Sequence, residues 1–209
     1  LSIQRNHTST HLLQFALKKT LGNHVEQRGS MLTEDTFRFD FSHQSKLSDK
    51  ELSDAEKIIK SLIKDEIQCI EEKQANYNDA VKAGAIGLFS EKYGDVVRTI
   101  KFGESYELCG GTHVKNTREI EDFKIISEGS QAFGIRRIVA TSNKTRIKEE
   151  ELKNQAIKEK AESEKANKIL QKEIDSKNKI KIQSIKGLII KEIKQVNGLN
   201  TFTGELDLD

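Results

Sequence analysis

Two short runs, His7-Thr8-Ser9-Thr10-His11 and Cys109-Gly110-Gly111-Thr112-His113, constrain this chain more than anything else in it. Histidines four apart on a helix leave one face about a turn apart, so both imidazoles can reach a single ion. The second run adds a thiolate and a third imidazole. Gly110 and Gly111 between them suit a tight turn whose backbone passes close to a metal. Of five histidines and two cysteines in 209 residues, three histidines and one cysteine fall in these runs. A zinc site built from His7, His11, Cys109 and His113 requires a fold that carries a turn from mid-chain onto the first helix. The competing reading makes His7 and His11 ordinary helix-surface residues and Cys109 a small core residue beside a turn.

The apolar material is unevenly spread. Charged residues make up 33% and aromatics 6%, and eight of nine phenylalanines precede residue 134. The core is therefore expected in the first two thirds of the chain. No run approaches the roughly 18 apolar residues of a membrane span, and no charged-then-apolar leader precedes the first motif, so a soluble, cytoplasmic protein is expected. Two cysteines provide no disulfide framework; Cys109 is better used as a ligand, and Cys69 reads as a buried helix-end residue. The chain opens at Leu1 with its first ligand already at position 7. It closes on the alternating stretch 201–209 without a turn or cap, so both ends read as cut from a longer protein.

Periodicity predicts a helix over 7–21, with Leu12, Leu13, Phe15, Ala16 and Leu17 buried and Gly22-Asn23 ending it. Residues 25–32 and 36–41 read as a strand pair joined by Thr33-Glu34-Asp35, with Phe37, Phe39 and Phe41 on one face. A second helix is expected over 48–68, capped by Ser48 or Asp49, with Leu52, Ala55, Ile58, Ile59, Leu62 and Ile63 inward. A shorter helix at 78–83 leads to strands at 96–102, 106–108, 123–127 and 135–141. Helices and strands come in groups rather than in strict alternation, which favours an α+β fold with a largely antiparallel sheet. Beyond Ser142 the character changes. Residues 144–194 hold 15 Lys and Arg against 9 Asp and Glu and no aromatic. This is a long helix or helical hairpin whose apolar stripe is too thin for a sustained coiled coil; its basic excess can attract a phosphate backbone or serve only solubility.

With these residues placed, the chain resembles the editing portion of the alanyl-tRNA synthetase family. The run His7 to Leu13 is similar to the family's HTATHLL, His24 to Ser30 to its HVxQxGS, and Arg38 to His43 to its RFDFSH. Cys109-Gly110-Gly111-Thr112-His113-Val114 and Gly134-Ile135-Arg136-Arg137-Ile138 follow in the family's order. The likeness covers residues 1 to about 142 as a zinc-containing editing domain. Residues 143–195 are similar to the family's linker, a basic helix shorter than expected, and 196–209 to the start of its C-terminal domain.

The resemblance implies hydrolysis of tRNA(Ala) mischarged with serine or glycine. A pocket built for a methyl group excludes glycine weakly, and serine adds one hydroxyl, so a second site must remove errors. It implies Zn2+ as cofactor, with His7, His11, Cys109 and His113 as ligands. Four ligands close a tetrahedral site and suit a structural or positioning ion, whereas three leave a position for water activation. Positioning of substrate combined with water activation is the reading adopted, with Gln27, Cys109 and His11 assigned to catalysis. Gln27, Thr8 and Thr112 are expected in the substrate pocket. Arg38, Arg136 and Arg137 are expected on phosphates of the tRNA acceptor end, against ion pairing on a sheet surface. His43 reads as a turn or packing residue. ATP belongs only to the parent's aminoacylation domain, and oligomerisation to its C-terminal domain. The alternatives are a free-standing AlaX-type editing protein, the related editing domain of threonyl-tRNA synthetase, and a non-catalytic zinc module that binds tRNA. A metalloprotease is disfavoured because Thr8 stands where HExxH carries its general base.

Overall fold

Helix α1 (Ser2–Leu21) begins five residues earlier than its periodicity suggests, because nothing from Ser2 to Asn6 interrupts it. It stops at Gly22, whose φ of 113° only glycine adopts freely and whose N–H donates to the Lys18 carbonyl at 2.9 Å. The computed structural model describes residues 1–87 and 93–195, with side chains through 189. The chain divides into two units, Leu1–Leu152 and Lys153–Asp209.

In the first unit, β1 (Gln27–Leu32) and β2 (Phe37–Ser42) form the expected hairpin. The alternation of Phe37, Phe39 and Phe41 is matched by complete burial of all three, at 0–1% exposure. Strands β6 (Lys124–Ala132) and β7 (Ile135–Thr141) complete a four-stranded antiparallel sheet of order β1-β2-β7-β6. A second sheet pairs β3 (Ile70–Asn76), β4 (Val96–Phe102) and β5 (Ser105–Leu108), also antiparallel. The α+β class with antiparallel pairing is thus the observed one.

Helix α2 (Asp49–Lys64) starts with a full capping box: Ser48 accepts the Glu51 N–H and the Glu51 carboxylate accepts the Ser48 N–H. It ends at Lys64, short of the expected residue 68. Cys69 is therefore no helix-end residue; it lies half-buried just before β3, its N–H bonded to the Lys115 carbonyl. Strand β3 was not foreseen, since Ile70-Glu71-Glu72-Lys73-Gln74-Ala75-Asn76 lacks alternation and only Ala75 is buried. It is an edge strand held by its ladder to β4, where charged side chains are normal. Helix α3 (Tyr77–Lys82) follows.

Helix α1 packs against α2, β1, β2 and β5, so it is buried around most of its circumference. That placement forces polar residues inside. Asn6, fully buried, donates to the Thr33 carbonyl (2.9 Å) and accepts from the Ser142 N–H and hydroxyl, which ties α1 to the β1–β2 turn and to the end of β7. The core joins Leu12, Leu13, Leu17, Phe39, Ile59, Phe102, Phe123 and Ile138 into one cluster.

Helix α4 (Lys144–Gln195) is one continuous helix rather than a hairpin. In the second unit its side chains are exposed along nearly all the described length, including Ile157, Ile169, Leu170 and Ile174. The expected C-terminal segment 196–209 lies outside the described residues. Among them, no helix is long and apolar enough to cross a membrane.

Candidate metal centre

Helix α1 carries His7 and His11 on one face, and β5 delivers Cys109 directly beyond its last residue. The ladder continues one step past β5, with the Cys109 N–H donating to the Arg98 carbonyl of β4 at 3.1 Å. The Arg98 guanidinium then clamps the turn. Its Nη1 donates to the carbonyls of Cys109 (2.7 Å) and Gly111 (2.6 Å), while Nε donates to Glu71 on β3 at 2.7 Å. Gly111 lies against the His7 ring so closely that a Cβ there would stand 2.6 Å from Nδ1.

These restraints bring one ligand atom each from His7, His11, Cys109 and His113 within 4.8 Å of one another. Cys109 Sγ lies 3.4 Å from His7 Nε2 and 3.3 Å from His113 Nε2. The three rings sit 4.2 to 5.1 Å apart between centroids. Hydrogen bonds select the lone pairs offered to an ion. A carbonyl can only accept, so the contact of His7 Nδ1 with the Thr112 carbonyl (3.2 Å) makes Nδ1 the protonated nitrogen and leaves Nε2 free. Thr8 Oγ1 accepts the Val114 N–H (3.2 Å) and faces His113 Nδ1 at 3.1 Å, which again turns Nε2 toward the thiol. Among the described residues His11 Nδ1 is buried without a hydrogen-bond partner, and its Nε2 stands 3.4 Å from a Glu107 carboxyl oxygen.

The electrostatics suit an ion as well. Burial pushes His11 well below the usual imidazole range, with its imidazole neighbours adding to the effect, and pushes His113 down to about 3. His7 is lowered too, chiefly by burial. Burial raises the Cys109 thiol and takes the Glu107 carboxyl up to about 8, with Lys18 opposing. Neutral imidazoles keep their lone pairs. An orphaned ring nitrogen amid three imidazoles and a thiol is what a borderline-soft divalent cation satisfies, and the thiol proton leaves when it binds.

The remaining expected residues are placed less uniformly. Thr8 is fully buried, so its hydroxyl orients His113 instead of lining a pocket. Thr112 has an exposed side chain and contributes its carbonyl to His7. Gln27 opens β1, with its amide donating to Ser30 Oγ at 3.0 Å, at the opposite end of that strand from the turn that Asn6 holds. Arg136 is paired with Glu128 (2.5 Å), and Arg137 grips Asp40 through two bonds of 2.6 and 2.8 Å. Both arginines thus take the ion-pairing alternative. Arg38 Nε is buried without a partner among the described residues. His43 packs against His24, ring nitrogens 2.8 Å apart. Two residues escaped sequence reasoning. Glu107 stands two before Cys109, hence on the same side of the strand, which was a usable signal; Arg98 carried none.

A family model described as the threonyl and alanyl tRNA synthetase second additional domain matches residues 97–139. The alanine–tRNA ligase of Christiangramia forsetii is 42% identical over 98% of this chain and 25% of its own length. That of Thermoanaerobacter sp. strain X514 is 47% identical over 93% of this chain and 21% of its own length. That of Thermotoga sp. strain RQ2 is 52% identical over 68% of this chain and 16% of its own length. The chain spans about a quarter or less of the curated relatives it matches. With likeness of this depth along nearly its whole length, the chain belongs to the alanyl-tRNA synthetase family.

Proposed function

We propose that this chain carries a hydrolytic editing site that cleaves serine or glycine from tRNA(Ala). The observation that carries the reading is the convergence of His7, His11, Cys109 and His113 in a member of this family. Zinc held by these four would position the aminoacyl group, and with one ligand displaced it would supply Lewis-acid charge to the ester or its attacking water. The chain's own residues do the rest. Burial keeps the imidazoles neutral, Arg98 and Thr8 hold the turn and the His113 ring, and the exposed Thr112 side chain and the Gln27 amide are the polar groups offered to substrate and attacking water. A site that hydrogen-bonds the serine hydroxyl rejects alanine, because its polar groups are then left unpaired.

Residues 1–142 form the editing domain in this reading, 143–195 the basic linker and 196–209 the start of the C-terminal domain. In this reading Arg38, whose Nε is buried without a partner among the described residues, and Arg136 and Arg137, which must first leave their carboxylates, meet acceptor-end phosphates. The setting is cytoplasmic. ATP use and oligomerisation belong to parts of the parent protein outside this chain.

Deacylation of preformed seryl-tRNA and alanyl-tRNA, with and without zinc, tests the proposal. Rapid loss of serine with retention of alanine is expected. Equal slow loss of both, unchanged by Cys109→Ala combined with His113→Ala, would leave only a zinc module that binds RNA.

A further inference from the structure

The three imidazoles of the cluster are not held alike. His7 and His113 have their Nδ1 atoms engaged, by the Thr112 carbonyl and the Thr8 hydroxyl, and both direct Nε2 at the Cys109 sulfur. His11 is the reverse. Its Nε2 faces a carboxyl oxygen of Glu107 at 3.4 Å, and its Nδ1 is buried without a partner among the described residues. Glu107 itself is 4% exposed and projects from β5 on the same side as Cys109. A buried acid on a strand is costly, and strand geometry does not require one there.

We propose that Glu107 is the positioning residue of the metal centre: a carboxyl oxygen of its side chain accepts the His11 Nε2–H and so presents Nδ1, rather than Nε2, to the ion. A ligating imidazole is fixed by the acceptor its second nitrogen finds, and carboxylates raise the basicity of the ring they hold. The centre is then asymmetric, two histidines bound through Nε2 and one through Nδ1. Helix geometry alone does not dictate this, because either nitrogen of His11 can be turned inward by a ring flip. The inference rests on the metal reading above but not on hydrolysis.

The decisive measurement uses the zinc-loaded full chain with 15N-labelled histidine. Long-range proton–nitrogen correlation shows which ring nitrogen carries the proton. Expected are Nδ1–H for His7 and His113 and Nε2–H for His11; Nδ1–H on a zinc-bound His11 overturns the proposal while sparing the metal site. Chelator competition provides the second arm. Glu107→Leu is expected to weaken zinc binding by about 10- to 100-fold, and Glu107→Gln, whose amide oxygen still accepts, by less. Wild-type affinity in both variants also overturns it. Should Glu107→Leu fail to fold, the tautomers of the unaltered protein decide alone. A protein that takes up no zinc defeats the metal reading and this inference together.

Discussion

Replacing Gly111 with alanine tests the site at its tightest point. The added Cβ would stand 2.6 Å from His7 Nδ1 and closer still to the neighbouring ring carbon, where ordinary carbon contacts need about 3.5 Å or more. The ring must therefore retreat by roughly 1 Å, and its Nδ1 anchor on the Thr112 carbonyl, 3.2 Å long, goes with it. Metal–ligand distances tolerate only about 0.2 Å, so His7 is lost as a ligand. Structural zinc binds with about 10–16 kcal/mol, or roughly 3–4 kcal/mol for each of four ligands, which corresponds to a loss of about 100- to 1,000-fold in affinity. Gly111 does not have a positive φ, so backbone strain adds nothing. Gly110→Ala is the matched control, since its Cβ meets no atom within 4 Å. Competition against a chromophoric chelator at pH 7, with circular dichroism to monitor the fold, measures both variants. Equal zinc affinity for Gly111→Ala and Gly110→Ala would refute the geometry.

Three further outcomes are expected. Arg98→Ala removes the clamp on the Cys109 and Gly111 carbonyls and should loosen zinc by about 10- to 100-fold in the same competition; unchanged affinity would show that the turn holds itself. Phe39→Ala, at 0% exposure, should destabilise the protein by about 3–5 kcal/mol in urea unfolding with metal retained below the transition, and a loss under 1 kcal/mol would contradict the packing. The metal-free protein should lose stability between pH 6.5 and 5, because the unfolded chain protonates His7, His11 and His113 more readily than the folded one, His11 and His113 most of all; with His113 at about 3, that residue alone costs about 2 kcal/mol at pH 5. Glu107 acts oppositely, its folded value of about 8 giving stability that is full below 4.5 and lost as pH rises through 8, but one carboxyl faces three imidazoles. A urea midpoint that stays level or rises from pH 7 to 5 would reject the burial of the imidazoles.

Patterning made the framework legible where one face of an element meets the core. Phe37, Phe39 and Phe41 announced β2, and Ser48 with Glu51 announced the start of α2. Strand β3 stayed hidden because an edge strand with one buried residue leaves no period to read. Helix α1 was legible as a helix but not as one buried nearly all round, since two sheets that close over it are assembled from distant segments.

The same division runs through the metal centre. His7, His11, Cys109 and His113 were recoverable from residue type and spacing, because a helical turn and a glycine turn are local and local geometry puts each pair on a common side. Arg98 and the role of Thr8 were not, and of Glu107 only the strand side it shares with Cys109 was, not its partner on α1. Each acts across strands or between α1 and the turn after β5, over separations that no local period encodes. Sequence alone determined which residues can hold an ion; only tertiary packing decided which nitrogen each ring offers, because that choice belongs to hydrogen-bond partners that folding brings from elsewhere in the chain.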